Sequence, residues 1–87
     1  MTPGREDELE AELRQILVAI TGRAGLADLP ARTQLFREGV ALDSLSGTLL
    51  LREIQRRYGV DVAAEDLNLD ALETLGTLAA FIAVHRA

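Results

Sequence analysis

The chain contains no cysteine, which excludes a disulfide framework and a thiolate metal site. It has a single histidine, His85, so a hydrolytic triad would have to be built around a residue close to the last position. A favourable charge at the end of a final helix is the simpler reading of His85. Aromatic residues are scarce: Phe36, Tyr58 and Phe81 are all there are. Lysine is absent, and the nine basic residues are all arginine, outnumbered by fourteen acids to give a net charge of −5. That balance disfavours nucleic acid, whose binding rests on basic contacts to phosphate. No apolar run approaches the roughly 20 residues that span a bilayer. The acidic start, through Arg5-Glu6-Asp7-Glu8, lacks the apolar region of a signal peptide. A soluble, cytoplasmic chain with neither a membrane nor a nucleic-acid partner is expected. At 87 residues it should form one domain over 1–87, burying roughly 60–65% of its unfolded surface. So small a core leaves little room for the deep pocket an enzyme needs.

What is present is 48% apolar residues, mostly Leu, Ala, Ile and Val, which suits helix-on-helix packing. Leu9, Leu13, Ile16, Leu17 and Ile20 recur at spacings of three and four and predict an amphipathic helix over 5–21. Glu6, Asp7, Glu8, Glu10 and Glu12 crowd its start, where the helix dipole favours negative charge. Gly22 and Gly25 end it. Residues 22–42 show no sustained period and read as a long loop fastened by Leu26, Leu29, Leu35, Phe36 and Val40. Loops of this length in small domains are often functional. A second helix should run from Asp43 or Ser44 to Tyr58, stopped by Gly59. Its inward stripe is expected to be Leu45, Thr48, Leu51, Ile54 and Tyr58, widened by Leu49 and Leu50. Residues 60–62 read as extended and 63–70 as a brief helical turn. A last helix is expected from Leu72 or Thr74 to His85, with Leu75, Leu78, Ala79, Phe81 and Ile82 inward. Thr74 is its candidate cap, and because Thr77 and not Glu stands three residues later, no capping box is expected. The predicted fold is therefore all-α: three main helices, a long first connection and a short helical turn before the last helix.

Few residues offer chemistry. Asp66-Leu67-Asn68-Leu69-Asp70 begins like a calcium loop, but Ala71 occupies the position of the turn glycine and Thr77 that of the bidentate Glu. No metal site is expected. Phosphate-cradling glycine motifs are missing, and no catalytic residue stands out. Ser44 has no nearby base to make it a nucleophile. Read locally, Asp43 or Ser44 is simply a helix cap.

A wider pattern changes the weight of Ser44. Leu35-Phe36-Arg37-Glu38-Gly39-Val40-Ala41-Leu42-Asp43-Ser44-Leu45 leads into Leu50-Leu51-Arg52-Glu53-Ile54-Gln55-Arg56-Arg57 and then Tyr58-Gly59-Val60-Asp61-Val62. This run resembles the acyl carrier protein family, in which Asp-Ser-Leu opens the second helix and an aromatic, a Gly and an apolar-acidic-apolar triplet close it. Thr74-Leu75-Gly76-Thr77-Leu78-Ala79-Ala80-Phe81-Ile82 is similar to the family's final helix, so the likeness spans nearly the whole chain. The resemblance implies a discrete carrier whose Ser44 receives 4'-phosphopantetheine from coenzyme A. Asp43 and Leu45 would correspond to the flanking acidic and apolar residues that meet partner enzymes, with Leu42, Leu49 and Arg52 around them.

The implied partners are a phosphopantetheinyl transferase, an acyl- or aminoacyl-loading enzyme (ligase or acyltransferase), and a ketosynthase or other downstream enzyme, all acting on a monomer. Leu42 stands where the family often has Gly, and the Gly-Gly-x-Ser form of peptidyl carriers is absent. Leu49 replaces a frequent Glu, and Arg52, Arg56 and Arg57 make the helix basic. Because charge complementarity sets partner choice, these departures point away from standard fatty-acid machinery and toward polyketide or mixed polyketide–peptide secondary metabolites, such as antibiotics. A freestanding peptidyl or aminoacyl carrier loaded by an adenylating enzyme is the alternative, and an unmodified helical adaptor ranks below it.

Overall fold

The structure, a computed structural model, describes residues 5–36, 39–62 and 72–85. They form three α-helices, α1 (Arg5–Thr21), α2 (Ser44–Tyr58) and α3 (Leu75–His85), with a 3-10 turn at Ala24–Asp28. Among the described residues the fold is all-α, as composition and periodicity predict. The only β pairing among the described residues is an isolated bridge between Gln34 and Thr74.

Helix α1 buries Leu9, Leu13, Ile16 and Leu17, the stripe its spacing demands, while Ile20 is half-buried. Its end is set by Gly22, whose φ of +74° is a left-handed conformation that costs glycine nothing. The Gly22 N–H donates to Val18 O at 2.8 Å. Helix α1 packs against α2, α3 and the 3-10 turn, so it is the central element of the bundle.

The first connection is more ordered than a loop reading implies. Leu26 and Leu29, three apart, are both buried, as the threefold repeat of a 3-10 turn allows. Arginines strap the connection to the bundle. Arg14 Nε donates to Leu29 O at 2.6 Å, and Arg23 Nη2 donates to Val40 O at 2.9 Å. Leu35 N donates to Glu73 O at 3.0 Å and Gly76 N to Ala31 O at 2.8 Å, which ties the connection to the start of α3. The helical turn expected at 63–70, and the failed calcium motif with it, lie outside the described residues. Residues 60–62 form no strand; Val60 and Val62 are simply buried.

Helix α2 has the predicted span, but its buried face is rotated from the predicted stripe. Gly47, Leu50 and Ile54 are buried, Leu51 and Tyr58 half-buried, and Leu45 and Thr48 exposed. The reason is Gly47. A residue without a side chain scores nothing as an apolar position, yet here it admits the Phe36 ring, and a Cβ on it would lie 2.8 Å from Phe36 Cε1. The far end of α2 is tied to α1 by the Tyr58 hydroxyl, which donates to the Glu12 carboxylate. Gly59 closes α2 at φ +70°.

Helix α3 buries all five predicted residues, Leu75, Leu78, Ala79, Phe81 and Ile82. Its start corrects one expectation. Thr77 N–H donates to Thr74 Oγ1 at 3.1 Å, and Thr74 N–H donates to Thr77 Oγ1 at 2.9 Å. That reciprocity is a capping box, with a threonine hydroxyl doing what Glu usually does. His85 stacks on Phe81 with centroids 4.1 Å apart, and its Nδ1 lies 3.0 Å from Phe81 O. It sits at a helix C-terminus, far in sequence from Ser44.

Candidate functional site

The approach to α2 is a tight reversal. Val40 N donates to Gln34 O at 2.8 Å and Leu42 N to Leu35 O at 2.9 Å. Between those bonds Ala41 is held at φ +56°, a left-handed conformation that costs a residue bearing a Cβ about 1–2 kcal/mol. The reversal delivers the chain to Asp43 in an extended conformation, φ −85° and ψ 178°.

Asp43 is the N-cap. Its Oδ1 accepts the Ser46 N–H at 2.8 Å, and its carbonyl accepts the Gly47 N–H at 2.9 Å. The Ser46 backbone N–H and then the Ser46 side chain hold the Asp43 carboxyl below its ordinary value. Ser44 is thereby the first residue of α2, with its side chain exposed. Its hydroxyl has no hydrogen-bond partner among the described residues. The two local readings of the pair are resolved: Asp43 caps, so Ser44 is not needed for capping.

Leu45, Leu49, Arg52 and Arg56 follow at spacings of four, three and four, which places them along one side of α2. Leu45 is 69% exposed and Leu49 37%. Glu53 is engaged by Arg56 and Arg57, each at 2.6 Å, and the Arg56 hydrogen bond first, then that of Arg57, pulls its pKa down to about 2. Arg52 makes no ion pair with a described residue. Leu49, Arg52, Glu53 and Arg57 also border an open cleft of about 370 Å³ whose α1 wall is Ile16, Ala19 and Ile20. Leu42 departs from expectation. It is 7% exposed and belongs to the core, because Ala41 takes the left-handed position and lets Leu42 turn inward. Its side chain is turned inward and not exposed beside Ser44.

Sequence reasoning passed over Phe36 and Gly47 as a pair. The available signal was a glycine inside an otherwise strong helical pattern, which usually has a packing reason.

A scan against protein-family models matches residues 11–82 to the phosphopantetheine attachment site family. The chain belongs to that family. No curated protein and no solved structure matches it. Members of the phosphopantetheine attachment family are carrier domains and not catalysts, and they bear a covalently attached 4'-phosphopantetheine. They work with a phosphopantetheinyl transferase and with acyl-handling enzymes.

The donor set of this chain fits such a group. An exposed serine hydroxyl opens α2, and the leading N–H groups of a helix lack intrahelical acceptors. A phosphodiester there would meet the positive end of the helix dipole. Among the described residues there is no cluster able to hold a metal ion, and no helix is long and apolar enough to cross a membrane.

Proposed function

We propose that Ser44 is the attachment point of the family's phosphopantetheine, and that the chain is a discrete acyl carrier serving polyketide or mixed polyketide–peptide secondary-metabolite biosynthesis in the cytoplasm. The observation that carries the attachment reading is the division of labour at the start of α2: Asp43 caps the helix at 2.8 Å and leaves an exposed hydroxyl on the next residue. A single carrier unit over 1–87 is supported by the radius of gyration of 11.9 Å, close to the roughly 12 Å of one compact domain of this length.

The bound arm supplies a terminal thiol that holds an acyl group as a thioester. The work of the protein's own residues is presentation. Ser44 anchors, the first N–H groups of α2 favour the anionic phosphodiester, and Asp43 keeps the helix start formed. Leu45, Leu49 and Arg52 lie exposed along one side of α2 and supply an apolar and cationic docking strip, with Asp43 at its head. Cationic Arg52, Arg56 and Arg57 set this strip apart from an acidic one, and complementary charge governs encounter rate and partner choice. That basic character supports a partner set outside standard fatty-acid synthesis, and the lack of the Gly-Gly-x-Ser form of peptidyl carriers supports acyl over peptidyl cargo.

Co-expression with a broad-specificity phosphopantetheinyl transferase, followed by intact-mass measurement, tests the attachment. The wild-type chain should gain one phosphopantetheine and Ser44→Ala none. Modification of Ser44→Ala, or no modification of the folded wild type, would overturn it. Incubating the holo-protein with candidate acyltransferases, acyl ligases and adenylating ligases then reads the cargo class from the thioester formed.

A further inference from the structure

Phe36 is one of the few large apolar side chains left partly exposed, at 38%, and it is held in place. The Leu42 N–H bond to Leu35 O keeps Phe36 beside the residues that enter α2. Its ring occupies the notch at Gly47, where a Cβ would lie 2.8 Å from Cε1 and 3.3 Å from Cζ. Side chains on a helix tilt back toward its N-terminus, so the surface a residue covers lies over the preceding turn. The notch at Gly47 therefore lies over the turn that begins at Ser44, three residues earlier and on the adjoining side of the helix. The partly exposed Phe36 ring thus packs on the helix turn that Ser44 opens, on a patch of α2 that has no side chain of its own.

We propose that Phe36, seated on Gly47, is a binding platform for the pantoyl segment of the phosphopantetheine arm. The inference rests on Ser44 being the attachment point. In that arm a phosphodiester comes first, then one methylene, then a quaternary carbon bearing two methyl groups. Those methyls are the arm's first apolar surface, and their short tether keeps them near Ser44. Laying them on an aromatic face removes apolar area from water on both partners and requires no polar group. Leu45 and Leu49 face another side of α2 and stay available for docking. The glycine at 47 has a role in this arrangement, since any side chain there would push the ring away from the helix.

The test is nuclear magnetic resonance on holo-protein carrying isotopically labelled pantetheine, with the arm first located on Ser44 by mass spectrometry. The two pantoyl methyl signals should move upfield of their positions in free coenzyme A and show nuclear Overhauser contacts to the Phe36 ring. In Phe36→Leu, which keeps the site apolar, the shift should vanish while Ser44 still carries the arm. Gly47→Ala should reduce it by displacing the ring. Wild-type holo-protein with methyl signals at their free positions and no contact to Phe36 overturns the platform, whatever the variants do. An arm absent from Ser44 overturns the attachment reading, and the platform falls with it. An arm present on Ser44 without the contact overturns the platform alone.

Discussion

The carboxylate of Asp43 reaches over Ser44 to take the N–H of Ser46 at 2.8 Å, so the residue before the candidate serine secures the helix on which that serine stands. The bond holds the Asp43 pKa below its ordinary 3.8. The folded protein thus binds this proton more weakly than the unfolded chain does. The stabilisation is complete above about pH 3.8 and is lost as the pH falls through the lower folded value. Asp43→Ala should lower the urea midpoint at pH 7, whereas Asp43→Asn, which keeps an acceptor, should retain most of it. The gap between Asp43→Ala and the wild type should narrow on acidification, because a protonated carboxyl accepts the Ser46 N–H less strongly than the carboxylate. A gap that does not narrow as the pH falls below 3.8 would contradict a cap made by the charged carboxylate.

Ala41 at φ +56° carries a strain of about 1–2 kcal/mol that glycine would not feel. Glycine adds unfolded-state entropy costing about 0.4–1 kcal/mol. Ala41→Gly should therefore leave a net gain of about 0.5–1 kcal/mol, taking both ranges near their middles. Equilibrium urea unfolding reads the difference.

Gly39 shows the opposite constraint. A Cβ there would collide with Gln34 O and lie 2.5 Å from Thr33 Cγ2 and 2.9 Å from Gln34 N. Backbone atoms cannot rotate aside as a side chain end can. Gly39→Ala should cost about 1–3 kcal/mol, the range for overfilled packing, and should loosen the reversal that leads to Asp43. Thermal unfolding measures the loss, and amide exchange at Val40 and Leu42 reports the loosening.

The orientation of α2 can be tested by truncating neighbours. Leu50 is fully buried and Leu45 is 69% exposed. Leu50→Ala should cost about 2–5 kcal/mol, and Leu45→Ala should change stability by less than about 0.5 kcal/mol. Equal losses would mean that the helix is rotated back toward the sequence-based stripe.

The contrast between Leu45 and Leu50 marks how far the sequence could be read. In α1 and α3 most of the large apolar residues recur at spacings of three and four, so spacing picks the inward face. In α2, Leu45, Leu49, Leu50 and Leu51 leave several faces equally apolar. The decision falls to Gly47 and to Phe36, which reaches it from a non-adjacent stretch of chain. The same limit hid the Arg14 and Arg23 straps, because their acceptors are backbone carbonyls fifteen and seventeen residues away. Asp43-Ser44-Leu45 and the Tyr58-Gly59 ending were legible because both are local: a cap at one end and a left-handed glycine at the other. Leu42 was misplaced because its burial follows from the backbone conformation of Ala41, which no side-chain pattern encodes.

The reciprocal pair of Thr74 and Thr77 has its own consequence. Both members of that latch are uncharged hydroxyls, so no proton uptake can undo it. Asp43 is bound to its partner through a titrating group. Acidification would therefore weaken the cap at the Ser44 end of α2 and leave the one at the start of α3 as it is. Of the two helix latches, only the one beside Ser44 answers to pH.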